Sequence, residues 1–245
     1  MKKTFLSFGL IIAFTCLGIQ PLLANDPINI SVSKNKKEDR DVRDFNGVAA
    51  GGPITVIVTL GNTEGLRFEG DADAISTLIT EVRKNILIIR PQNSWTSWAK
   101  KYENKKITAY VSAKTLRSLT MSGDGKMNVT NKITTESLNV NLSGSGSITA
   151  NINVEGFVAN VSGSGNLNIS GGADNASVNI SGSGSLTKKG FNVGNLSSVV
   201  SGSGSVYANV EDSISATISG SGTINYSGDP KVKQTVIGSG SVRKI

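Results

Sequence analysis

Residues 138–152 read LNVNLSGSGSITANI, and every second position is apolar or glycine: Leu138, Val140, Leu142, Gly144, Gly146, Ile148, Ala150 and Ile152. The residues between are all polar: Asn139, Asn141, Ser143, Ser145, Ser147, Thr149 and Asn151. A period of two with polar partners is the mark of a strand with one buried and one solvated face. The alternation runs straight through Gly144 and Gly146, so both glycines fall in the inward phase. An inward glycine lets the backbone bend sharply or approach a neighbour closely, and tolerates positive φ. The Gly-x-Gly is therefore expected to be a corner, with its serines pointing outward.

The phrase recurs along the chain. Its first glycines are Gly123, Gly144, Gly163, Gly182, Gly202, Gly220 and Gly238, spaced by subtraction at 21, 19, 19, 20, 18 and 18 residues. Second glycines follow at Gly146, Gly165, Gly184, Gly204, Gly222 and Gly240. Self-similarity at a period of about 20 residues marks a solenoid, in which each unit buries its apolar face only against its neighbours. The expected fold is all-β: a single-stranded, right-handed parallel β-helix of about 20 residues per coil, its corners stacked about 4.8 Å apart. A meander of antiparallel hairpins fits less well, because two-residue hairpin turns favour Asn-Gly or Asp-Gly and would interrupt the alternation.

Outward from the repeats, 113–245 reads as the regular solenoid and 45–112 as an irregular β region capping the same domain. Ile54, Val56, Val58 and Leu60 alternate after Gly51-Gly52-Pro53, and Asp71 to Ser76 reads as one helical turn. Residues 25–44 are polar and read as a tether. Residues 1–24 read as a signal peptide: Lys2 and Lys3, then the apolar stretch from Phe5 to Gly18, then Pro21-Leu22-Leu23-Ala24. The protein is thus expected to be exported, whether to the periplasm, the outer-membrane surface or the medium, with no membrane-spanning segment after leader removal. The one cysteine, Cys16, lies in that leader, so the mature chain has no disulfide or thiolate metal site, and an acylated Cys16 is the alternative to soluble export.

The chain resembles the head-GIN-domain family of "putative auto-transporter adhesins". The residues that carry the likeness are Phe45-Asn46-Gly47-Val48, the run Asn85-Ile86-Leu87-Ile88-Ile89, the serial Ser-Gly-Ser-Gly phrases, and Tyr226-Ser227-Gly228-Asp229-Pro230 leading to Gly238-Ser239-Gly240-Ser241-Val242. It spans 45–245 and implies a β-helical bacterial cell-envelope domain with an adhesive role.

Catalysis is not expected. The chain has no histidine, which removes Ser-His and Cys-His nucleophiles and imidazole metal ligands. Asp124 is alone in a corner, and Glu155, Asp174, Glu211 and Asp212 fall between strands, so no carboxylate pair is set by spacing for glycoside hydrolysis. No cofactor or metal is expected either: calcium-binding β-rolls need an aspartate where these corners carry serine, and no glycine phrase opens a helix as a phosphate loop does. The formal charge of +7 comes in patches broken by acids, which with export argues against nucleic acid. Two surfaces are left for recognition of a glycan, an extracellular matrix or protein partner, or a second copy of the chain. One is the segment 93–106, NSWTSWAKKYENKK, whose Trp95, Trp98, Lys100, Lys101 and Tyr102 either bind a ligand or close the solenoid's apolar end. The other is the outward array of Ser, Thr and Asn on the sheet faces.

Overall fold

The computed structural model describes residues 35–92, 94–101, 105–186 and 190–245, all within one compact unit, Ser33–Ile245. The leader expected over 1–24 lies outside the described residues. The first elements are β1 (Asn35–Arg40), β2 (Gly47–Gly51), β3 (Thr55–Leu60), β4 (Gly65–Asp71), α1 (Ala72–Ser76), β5 (Leu78–Arg83), β6 (Ile86–Pro91), α2 (Trp95–Lys101), β7 (Ile107–Ala113) and β8 (Ser118–Gly123). Long strands follow: β9 (Lys126–Gly144), β10 (Ser147–Gly163), β11 (Asn166–Gly182), β12 (Ser185–Leu186), β13 (Phe191–Gly202) and β14 (Ser205–Gly220). β15 (Thr223–Ser227), β16 (Lys231–Ile237) and β17 (Ser241–Lys244) end the chain. Most of the described residues are in strands and few in helix, and the fold is the all-β parallel solenoid that the alternation implies, in about seven turns of roughly 19 residues.

Register follows the repeat. β10 pairs in parallel with β9 and β11, setting Gly163 beside Gly144 and Gly182, and Phe157 beside Leu138 and Ala176. Inward residues therefore stack on inward residues, and Val140, Ile148, Ile152, Ala159, Leu167 and Val178 are all buried. Phe157 and Phe191 meet edge to face, with ring centroids 5.4 Å apart. Pairing skips one residue at Glu155, Asp174 and Gly194, which marks a second bend in those coils. The one 21-residue spacing has a physical reason: between the partners of Thr149 and Asn151, β9 sets three residues, 129–131, against the single Ala150, and its Asn131 side chain accepts the Leu60 amide at 3.0 Å.

At the corner the two glycines differ. The first of each pair has positive φ, from +103° at Gly123 to +119° at Gly220. A Cβ on Gly182 would stand 2.5 Å from the carbonyl oxygen of Gly163 in the coil below. The second glycine has ordinary φ but no room: a Cβ on Gly204 would lie 2.5 Å from Ile180 Cγ2. Across the corner the Ser164, Ser183 and Ser203 amides donate to the Gly144, Gly163 and Gly182 carbonyls, each at 2.9 Å.

The N-terminal end is threaded out of order. β2 and β3 form a coil around Gly51-Gly52-Pro53, and that coil pairs on one side with β8 and β9. On its other side it pairs with β6 and β7, which come later in the chain yet form the outermost coil. The region 45–112 is therefore a solenoid end, but not a run of coils in sequence order. β5 joins β6 through a two-residue turn with positive φ at Lys84 and Asn85, and β4 joins β7 antiparallel. β1 then pairs antiparallel with β4, so residues 35–40 of the expected tether are a strand rather than a loose segment. Arg40 on β1 stacks 4.8 Å above the Phe68 ring and donates to the carbonyls of Leu78 and Ile75, tying β1 across the end of the core.

Candidate functional site

The segment between β6 and β7 is held from α1. Asp71 caps that helix, with Oδ1 accepting the Ala74 amide at 3.1 Å, while Oδ2 faces Lys105 Nζ at 2.8 Å. The Lys105 ammonium and, less strongly, the Ala74 amide hold the Asp71 carboxyl below its ordinary value, against its burial. Thr77, which ends α1, accepts the Gln92 amide on its carbonyl at 2.9 Å. Its hydroxyl accepts the Trp98 indole Nε1–H at 2.7 Å and donates to the Ala74 carbonyl at 2.8 Å.

Trp98 is buried, 5% exposed, among the hydrophobic core residues. Its indole is thus packed into the closed end, bonded to Thr77. Lys100 and Lys101 are exposed on the last turn of α2. The side chain of Trp95 and all of Tyr102 lie outside the described residues. Asp71 and Thr77 were invisible as anchors in the sequence, because their partners lie 34 and 21 residues away.

A different surface is built by the repeat itself. On the face formed by β8, the second half of β9, and β10, β11, β13 and β14, the outward column runs Thr120, Asn141, Asn160, Asn179, Val199 and Thr217. Asn160 Nδ2 donates to Asn141 Oδ1 at 3.0 Å, and Asn179 Nδ2 to Asn160 Oδ1 at 3.1 Å. Each amide is thereby fixed in orientation by the one before it. Two residues on, the exposed hydroxyls of Ser143, Ser162, Ser181 and Ser201 form a second column beside the corners. Between the columns runs an open trough of about 400 Å³ crossing four coils, with Val199, 43% exposed, at one end. Three coils spaced about 4.8 Å apart thus offer the same Asn–Ser pair in a repeating row, and the fourth offers Val199 beside Ser201.

Carboxylates also come into line. The register places Glu136, Glu155 and Asp174 on successive coils at the second bend, with Glu211 and Asp212 beyond Gly194. Among the described residues no group of three or more acids converges as a metal site would. Arg117 Nη2 lies 3.7 Å from Glu136 at the end of the row.

A family model described as "Putative auto-transporter adhesin, head GIN domain" matches residues 44–230. Among solved structures, a "putative adhesin" from Bacteroides fragilis is 22% identical, with 86% of this chain and 97% of that one covered at a TM-score of 0.76. A "putative adhesin" from Parabacteroides distasonis is 21% identical over 87% and 98% of the two chains, at 0.70. A protein from the same organism named "putative lipid binding protein" is 21% identical over 86% and 96%, at 0.68. At these identities the likeness speaks for the fold. No curated protein matches the chain.

Proposed function

The chain belongs to the head GIN domain family, and from that premise we propose that it is a non-catalytic, exported cell-envelope adhesin that binds a glycan chain along the Asn–Ser trough. The observation that carries this reading is the trough itself: Asn141, Asn160 and Asn179 in a bonded amide column beside Ser143, Ser162, Ser181 and Ser201, across four coils. Fixed amides and hydroxyls suit the hydroxyls of a sugar, and Val199 offers an apolar contact for a ring face. A polymer with a repeating polar unit meets the same groups at three successive coils, so weak contacts add along its length. The leader at 1–24 supports export, and among the described residues no helix is long and apolar enough to cross a membrane. Mass spectrometry of the mature N-terminus separates cleavage after Ala24 from acylation at Cys16.

The binding test is a polysaccharide array followed by calorimetry on the best hit. Asn160→Arg combined with Ser162→Arg fills the trough with two long side chains, and is expected to weaken binding at least about tenfold with unchanged melting temperature. Lys100→Ala with Lys101→Ala is expected to leave binding intact. The opposite pattern moves the site to the 93–106 segment with Trp95 and Tyr102. A chain that ignores every glycan but binds vesicles or a matrix protein ends the glycan reading.

A further inference from the structure

The two ends of the stack are finished differently. At the outer coil, Ala74, Ile75 and Trp98 are buried and Arg40 bridges β1 to α1 and β5. At the other end β16 is exposed along its whole length: Val232 is 39% exposed, Val236 37% and Ile237 66%. Yet β16 continues columns that are buried one coil earlier, with Val232 on Ile214 and Val236 on Ile218. Its corner is also an interior corner, for Gly238 has φ +115° and the Gly240 amide donates to the Gly220 carbonyl at 2.9 Å. One edge of β16 is bonded to β14, and the other presents backbone groups in the conformation of every interior strand.

We propose that this edge is a dimer interface, in which β16 pairs antiparallel with β16 of a second copy across a two-fold axis through Gln234. Centred there, Val232 lies opposite the partner's Val236, so inner residues meet inner residues and the core closes over. Lys233 lies opposite the partner's Thr235, and Lys231 opposite the partner's Ile237. No lysine directly faces a lysine, and the basic strand tolerates its own copy.

Other occupants fit less well. A head-to-tail copy would bring β16 against β5, the far edge of its own face, where Arg40 already bonds the Leu78 carbonyl, and β17 against β1, where Lys36, Lys37, Glu38, Asp39 and Arg40 fill five of six positions, a blunted edge. Such contacts also propagate without closing, whereas the two-fold closes. The chain outside the described residues enters at Asn35, on the opposite edge of the sheet. From β1 to β17 that sheet has ten inter-strand steps, about 48 Å at 4.8 Å each. With the leader removed, residues 25–34 extend at most about 36 Å.

The test uses the full chain carrying Cys16→Ser, which leaves no thiol, and single cysteines added to it. Sedimentation is expected to give a dimer, and Gln234→Cys, where the two copies' side chains meet, is expected to oxidise to a covalent dimer. Arg83→Cys, on the exposed edge of β5, is expected to form no covalent dimer. Val232→Asp with Val236→Asp is expected to give a folded monomer, read by an unchanged circular dichroism spectrum. A wild-type monomer at high concentration overturns the proposal, as does equal crosslinking at positions 83 and 234. Glycan binding is read separately, since the trough lies on coils that β16 does not touch, so either proposal can fail alone.

Discussion

Ser198 is a buried residue at odds with the apolar character of its column. It stands inward between Val178 and Ala216, 1% exposed, and its hydroxyl has no partner among the described residues. A buried hydroxyl without a partner carries a desolvation penalty. Ser198→Ala is expected to stabilise the protein by about 1 kcal/mol, seen as a melting temperature roughly 2–4 °C higher. The glycines give the complementary contrast. Gly190 has φ +98° with open space where a Cβ would go, so Gly190→Ala should cost only the backbone strain, on the order of 1–2 kcal/mol. Gly182→Ala adds a 2.5 Å clash with the Gly163 carbonyl to that strain and should cost distinctly more by urea titration. That the corner glycines face inward was legible in the sequence, because the alternation passes through them. That only the first of each pair takes positive φ was not, since both occupy the same phase and only the three-dimensional turn separates them.

At the level of elements, α1 is a short helix doing the work of a clasp. Its cap Asp71 and its terminal Thr77 hold Lys105, Gln92 and the Trp98 indole. Asp71 is bonded to Lys105 only in the folded state, which lowers its folded pKa below the ordinary 3.8. Its contribution is therefore complete above about pH 3.8 and is lost as pH falls through the lower folded value. Melting temperature against pH should fall less steeply in that acid range for Asp71→Asn than for wild type. Trp98→Phe keeps the ring but drops the bond to Thr77, and is expected to cost about 1 kcal/mol, whereas Trp98→Ala should cost about 3 kcal/mol or more. The helical turn at 71–76 was legible from its sequence. The placement of β6 and β7 outside β2 and β3 was not, because nothing in a strand's alternation records which of two equivalent edges it will join.

Across the whole stack, stability is close to a sum of coils and of the contacts between neighbours. Removing residues 164–182 deletes one full period and brings Gly163 to Ser183, the junction that Gly182 makes in the intact chain. The shortened protein is expected to fold, with a urea m-value lower in proportion to the surface lost. Hydrogen exchange should be slowest in β10 and β11, which have strands on both sides, and faster in β1, which has one. Coil count and period were readable from glycine spacing alone, and the unequal finish of the two ends was not, since Val232 and Val236 of β16 fall in the inward phase as in an interior strand.

The out-of-order threading has one more consequence. β6 and β7 flank the 92–106 segment, but they do not hold each other: β6 is bonded to β2 and β7 to β3. Cutting the chain at Lys100 or Lys101 therefore severs no pairing within the sheet. The two fragments would interleave, the first contributing the coil 47–60, and the second wrapping it from both sides with β7 and with β8 and β9. The two halves are expected to reassemble on mixing, and their reunion would report that two tethered partners have met.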